Sequence, residues 1–397
     1  MSLNHGSKIV TNGLTLCYDL DNKKSWKGEP TTNNSSLSHH TNWNNSGTAT
    51  WDFDDTSLDR LFEDAPIKSM TKDTNGNSHL GIGNGSITAA TYTASCYVYI
   101  PSSAGTLAGT PPYFRSFPAN TSRGYLQYDG SYDWNNDWPK DKWIRISADW
   151  NNTASDTSMY ISCYINTTGN KIYMTAPQLE EKSYATPFVN GTRANTSAIL
   201  NIAGSQAITA ESLTYNSDGV TKPTFGANSD YITIGDFDDI FGSGSIDASL
   251  EFWIKPPVTG TRIFVGRFPP SVSDHRFYIG SYGSEWDMGW GAYPWNSGHS
   301  GTRPARDADQ WQHIVVSISS GVASLYKNGV LGFTKTDTSV SQGAVPFTIG
   351  AYFNTSAVID NSYHSAEDID VVRVYNRALT AEEINQNFTA IRGRFGL

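Results

Sequence analysis

Apolar and polar positions alternate with a period of two through much of the chain. Leu14, Leu16 and Tyr18 share one side of an opening strand, and residues 92–100, 142–150 and 159–165 repeat the pattern. Further runs at 249–255, 310–318, 323–331 and 347–353 are rich in Val, Ile, Phe, Tyr and Trp, the residues that fit a pleated, half-buried surface. Pro101 ends the second run, as proline ends strands. Lys327-Asn-Gly lies between two apolar stretches and marks a type I′ hairpin. Near the end the period changes. Ile369, Val371, Val372 and Val374 make a strand, then Thr380 and Glu383 form a capping box, and Ile384, Phe388 and Ile391 line one face of a short helix. The pattern predicts an all-β protein of two antiparallel sandwiches with a short C-terminal helix.

A chain of 397 residues can bury two cores. The boundaries read from the text are an N-terminal strand or attachment arm over 1–32, a first sandwich over 33–194, and a second over 195–397. Whether the opening strand pairs with a later domain or reaches elsewhere is open at this point. Composition agrees with a turn-rich β protein: 38% hydrophobic, 13% aromatic and 35 Gly. Only 17% of residues are charged and the net charge is −10, which argues against nucleic acid, whose phosphates need a basic face. The start has no apolar signal region and no run reaches membrane-spanning length, so neither secretion nor membrane insertion is expected. Cys17, Cys96 and Cys163 are too few and too scattered for a disulfide framework or a zinc site, and Cys96 and Cys163, in apolar strand-like text, read as buried thiols rather than as a bridged pair.

Four motifs occur in order across the second half: Phe252-Trp-Ile, Trp311-x-His313, Leu325-Tyr-Lys-Asn-Gly and Thr348-Ile-Gly. With the closing strand, Arg377-Ala-Leu-Thr, Ala381-Glu-Glu-Ile and the tail Ile391-Arg-Gly-Arg-Phe-Gly-Leu, this half resembles LamG-like, concanavalin A-type sandwiches. The wording is most similar to such domains in tailed-bacteriophage structural proteins. Pro177-Gln-Leu-Glu-Glu-Lys-Ser-Tyr-Ala-Thr-Pro-Phe-Val-Asn-Gly-Thr-Arg is similar to the last strand of carbohydrate-binding-module-like jelly rolls in phage fibre and tail proteins. The resemblance implies a virion structural protein made in the host cytoplasm: a tail fibre, tail appendage or head decoration. It also implies adhesion to host surface polysaccharide, to neighbouring virion proteins, or to both, as a homo-oligomer or on a lattice. A decoration that binds no glycan is the alternative, and a glycan depolymerase a more distant one. His313 takes a structural hydrogen-bonding role in this resemblance. A rim calcium is implied for Asp236, Asp238 and Asp239, and for Glu180, although acidic turns more often hold only water.

Glucanases of this fold need a second glutamate beyond the Glu-x-Asp pair, to protonate the leaving oxygen. Here Glu285 and Asp287 are present, but Gly289 and Trp290 stand where that glutamate belongs. No enzyme is expected, and both carboxylates read as solvent-facing. Two aromatic-rich segments are the binding candidates. Tyr278, Tyr282, Trp286, Trp290, Tyr293 and Trp295 could stack on sugar rings or form a buried cross-strand ladder. Trp286, Asp287 and Trp290 cannot all share a face of a regular strand, so at least one tryptophan belongs to the core. Tyr125, Tyr128, Tyr132, Trp134 and Trp138 crowd a Gly/Asn/Asp-rich loop, where exposure is expected. They suit a glycan and a protein partner equally.

Overall fold

The computed structural model describes residues 8–38, 40–44, 47–107, 110–117, 121–153, 155–218, 221–226, 229–235, 247–257, 262–267, 276–291, 299–336, 346–353, 359–360 and 368–397. The fold is all-β, as the periodicity predicts. Two compact units divide the chain: a first sandwich of residues 30–193 with 217–220, and a second of residues 1–29, 194–216 and 221–397.

In the second sandwich, a seven-stranded antiparallel sheet runs in the order Leu14–Asp19, Asp368–Tyr375, Ala248–Lys255, Gln312–Ser319, Val322–Lys327, Val330–Thr336, His299–Gly301. The N-terminal strand is therefore a sheet member, with Leu16 opposite Val374 and Tyr18 opposite Val372. A six-stranded sheet faces it and ends in Arg262–Arg267, Arg276–Tyr282 and Glu285–Gly291. Phe252, Ile254, Ile314 and Val316 meet Phe264, Val265, Ile279, Trp286 and Met288 between the sheets. Strand Ala248–Lys255 is buried on both faces, because Trp253 packs on its other side against Phe388 and Phe395 of the C-terminal helical segment.

That helix, Ala381–Ile391, starts at the predicted capping box: Thr380 accepts from the Glu383 amide and Glu383 accepts from the Thr380 amide. Beneath it lies a buried polar cluster. Glu251 accepts from Arg373 and from Asn387 Nδ2 (2.6 Å), and His313 Nε2 stands 3.1 Å away. Burial by itself would raise the Glu251 carboxyl, but Arg373, His313 and Asn387 together hold it down at about 2. His313 also lies against the Trp253 and Phe388 rings, a structural position.

In the first sandwich, one five-stranded sheet has the order Trp143–Asn151, Thr91–Tyr99, Lys171–Glu180, Lys68–Lys72, Ala49–Asp52. The other has the order His40–Asn44, Ser78–Ile87, Asp156–Ile165, Tyr113–Phe117, Thr121–Tyr125. Leu80, Ile82, Ala94, Val98, Ile144, Ile146, Ile161 and Ile172 fill the space between them. Cys96 and Cys163 join this core as free thiols, and burial pushes both thiol pKa values up.

Candidate functional site

The loop over 125–138 of the first sandwich is rigid by local chemistry. Gln127 pairs with Ser147 on the edge strand Trp143–Asn151, through hydrogen bonds of 2.9 and 3.1 Å. Tyr128 then pairs with Ser131 across a two-residue turn whose central residues, Asp129 and Gly130, have φ of 48° and 77°. Two positive φ values in succession suit Asp-Gly, the type I′ pair. Beyond the turn, Asp133 accepts from the Asn136 side chain (2.7 Å) and from the Asn135 and Asn136 amides. These bonds, those of Asn136 foremost, lower the Asp133 pKa. Asn135 accepts from the Leu107 amide at 2.7 Å and closes the loop onto the body.

The tryptophans of this loop correct the expectation of exposure. Trp134 and Trp138 are 1% and 2% exposed and meet edge to face with centroids 6.3 Å apart. They belong to the core, where each ring removes a large apolar area from water. Trp138 Nε1 donates to Ser131 O and Lys140 donates to Trp134 O, so the indoles anchor the loop. Tyr128 is half-buried against the same core. Tyr125 and Tyr132 are left outside, 45% and 49% exposed, with rings 6.2 Å apart at 81°. Gln127 Nε2 donates to the Tyr132 hydroxyl at 2.7 Å, fixing both.

Gln127, which holds Tyr132, also lines a polar recess of about 430 Å³. Its floor is the outer face of the edge strand, where Arg145, Ser147 and Asp149 alternate with the core residues Ile144 and Ile146. Gln127, Asp129, Thr93 and Tyr184 line it further. Arg145 donates to Ser95 Oγ at 3.0 Å and lies over the Tyr97 ring. Burial lowers its pKa, while Tyr97 and Glu180 oppose that shift. Gln127, Arg145 and Asp149 belong to no motif that marks them for binding in the sequence. The alternation of Arg145, Ser147 and Asp149 with apolar neighbours was the available signal for a polar strand face.

The second aromatic segment is built differently. Trp286 is fully buried, packs against Phe252 and Phe264, and donates to Gln312 Oε1 at 2.8 Å. Tyr278 is buried on the opposite face and donates to Asp287 Oδ2 at 2.8 Å. Asp287, expected to face solvent, is buried as well. Arg303 comes within 3.1 Å of its other oxygen and compensates the buried charge, and His299 Nε2 stands 3.6 Å from the same oxygen. Glu285 is exposed, and so is Tyr282, at 62%. Trp290 pairs with Phe277 in the strand ladder. Tyr293 and Trp295 lie outside the described residues, as do Asp236, Asp238 and Asp239.

Glu180 is also corrected. Its carboxylate accepts from Thr31 Oγ1, the Thr186 amide and hydroxyl, and Gln178 Nε2, at 2.5–3.0 Å. Protein donors thus occupy the oxygens that a calcium ion would need. No group of three or more His, Cys, Asp or Glu suited to a metal occurs among the described residues.

Residues 225–385 match the family model Laminin_G_3, described as the concanavalin A-like lectin/glucanases superfamily. No curated protein sequence matches the chain. Similar solved structures include domain 4 of an extracellular GH43 arabinanase from Geobacillus stearothermophilus, in complex with arabinotriose. Identity there is 20%, covering 47% of this chain and 82% of that one, with a TM-score of 0.32. The binding domain of Paraclostridial Mosquitocidal Protein 1 is 15% identical, over 48% of this chain and 49% of its own, at TM-score 0.34. For the botulinum neurotoxin serotype D binding domain the values are 13%, 49%, 50% and 0.34. The matches span about half the length of the two toxin domains. The second sandwich carries the concanavalin A-like lectin fold.

Proposed function

We propose that the protein is a non-catalytic adhesin that binds glycans through the tyrosine pair and recess of its first sandwich. The observation that carries this reading is the exposed pair of Tyr125, which ends strand Thr121–Tyr125, and Tyr132, on a loop held by its own buried tryptophans. Sugar rings stack their C–H faces on tyrosine, and Gln127, Ser147, Asp129 and Asp149 offer hydrogen-bond partners to hydroxyls alongside. Because the loop is already ordered, little conformational entropy remains to be lost on binding. One shallow site is weak, and many copies on a particle give the avidity that adhesion needs.

The display site in this reading is a phage virion, as a tail fibre, tail appendage or head decoration assembled in the host cytoplasm. Support comes from the phage-like wording of the closing helix and of the run after Pro177. No cofactor enters the reading. Catalysis has no support in the described carboxylates, since Glu285 lacks a partner glutamate and Asp287 is committed to Tyr278 and Arg303. A purely structural decoration remains the second reading, because exposed tyrosines also anchor protein interfaces.

A glycan array probed with the full chain and with Tyr132→Ala, beside host-cell binding, is the test. Binding by the full chain that Tyr132→Ala removes is the expected result. Absence of glycan and cell binding while the protein stays seated in the virion would make it a decoration.

A further inference from the structure

The recess is electrostatically one-sided, and this bears on which glycans it accepts. The exposed Asp218 lines it, and Asp129 and Asp149 are exposed carboxylates on its rim and floor. Among the described residues, neither Asp129 nor Asp149 meets a cation within 4.0 Å, unlike Asp54, Asp55, Asp287, Asp307 and Asp370. Arg145 is the one basic residue in the described lining, half-buried in the strand face and with no carboxylate within 4.0 Å among the described residues. Its guanidinium donates to Ser95, lies 5.8 Å from the Tyr97 ring centre and feels the buried Glu180 carboxylate. The chain as a whole carries −10.

Resting on the glycan-binding reading, we infer that this site selects uncharged, hydroxyl-rich polysaccharides and rejects polyanionic ones. Sugar hydroxyls donate to the two carboxylates, and hydrogen bonds to an ionised acceptor are the stronger kind. Gln127 and Ser147 can both donate and accept, which matches hydroxyls that do the same. A uronate, sialate or sulfate in the same place brings like charge against the exposed Asp129 and Asp149, which outnumber the single, half-buried Arg145. Unpaired like charge of this kind works as a specificity device.

The test uses the full chain on a panel pairing uncharged polysaccharides with uronic-acid, sialylated and sulfated ones, at low and at physiological ionic strength. The probes are wild type and the Asp129→Asn/Asp149→Asn double variant. Asn tolerates the positive φ at position 129, and residue 149 is exposed, so the fold is retained. The expected result is binding to an uncharged member at least about tenfold tighter than to any anionic one at low salt. That gap should narrow as salt screens the repulsion, and the double variant should narrow it by binding anionic members better. Anionic glycans bound equally or more tightly by wild type would overturn the inference and leave the adhesin reading intact. Selectivity unchanged in the double variant would overturn it too. If no member of the panel binds, the adhesin reading and the inference fall together.

Discussion

Two segments of this chain have nearly the same composition, tyrosine and tryptophan interleaved with glycine and aspartate, and the fold uses them in opposite ways. After Tyr125, the last residue of its strand, the backbone is a loop to 138, both tryptophans turn inward, and Tyr125 and Tyr132 remain on the surface. Over 278–291 the backbone is a regular hairpin, and its two faces divide the residues by parity. Trp286 and Met288 enter the core, while Tyr278 and Asp287 are sealed on the other side by Arg303 and His299. The difference teaches that an aromatic cluster becomes a binding surface only where a separate set of side chains anchors it. In the loop, indoles supply the anchor and phenols the display. In the hairpin, Phe277, Tyr278 and Trp286 are buried and serve packing, while Tyr282 is exposed.

Breaking the anchors should have the largest effect. Trp134→Ala and Trp286→Ala should each cost about 3–5 kcal/mol in denaturant unfolding, the range for deleting a buried aromatic. Trp286→Ala additionally leaves Gln312 Oε1 without its indole donor. A cost under about 1 kcal/mol at either site would mean that the ring is not in the core.

Acid should loosen the scaffold behind the hairpin next. Phe252 packs on Trp286, and Glu251 precedes it on the opposite face of the same strand. The folded carboxyl is held at about 2 against an ordinary value of 4.5. Its contribution is therefore present above pH 4.5 and is lost as pH falls from 4.5 toward 2, about 3 kcal/mol in all. Asp370 works in the opposite sense, because burial raises its pKa, and it offsets part of the loss. Thermal melts between pH 6 and pH 2.5 should show the decline in wild type and a flatter profile in Glu251→Gln.

Removing the display should affect binding alone. Tyr132→Ala should weaken glycan affinity about tenfold, near 1.4 kcal/mol, with stability within about 0.5 kcal/mol of wild type. The smallest effect belongs to Tyr282→Ala, a side chain more exposed than Tyr132 but without an anchored neighbourhood. It should leave stability and glycan affinity unchanged in the same assays.

Local chemistry was legible in the sequence. The capping box at Thr380 and Glu383 formed, and Asn328-Gly329 took the two positive φ values of its hairpin. Period-two runs became strands, and the rule that Trp286, Asp287 and Trp290 cannot share a face already required a core tryptophan. Long-range pairing was not legible. Nothing local says that Leu14–Asp19 completes a sheet beside Asp368–Tyr375. Asp287 reads as solvent-facing because Arg303, which compensates its buried charge, comes from outside its own strand. The loop tryptophans had no period from which to read direction, so only three-dimensional packing separates Trp134 and Trp138 from Tyr132. The recess stayed hidden for the same reason, since it joins residues near 93, 127, 145 and 184.

The central claim is that the anchored tyrosine pair and its recess bind glycan. Its most direct test is an NMR titration of the full chain with a glycan that the array identifies, repeated on Tyr132→Ala. The account predicts perturbed resonances at Tyr125, Gln127, Tyr132 and Asp149, and about a tenfold loss of affinity in the variant. Perturbations confined to the region of Tyr282 and Glu285, with affinity unchanged in Tyr132→Ala, would contradict it.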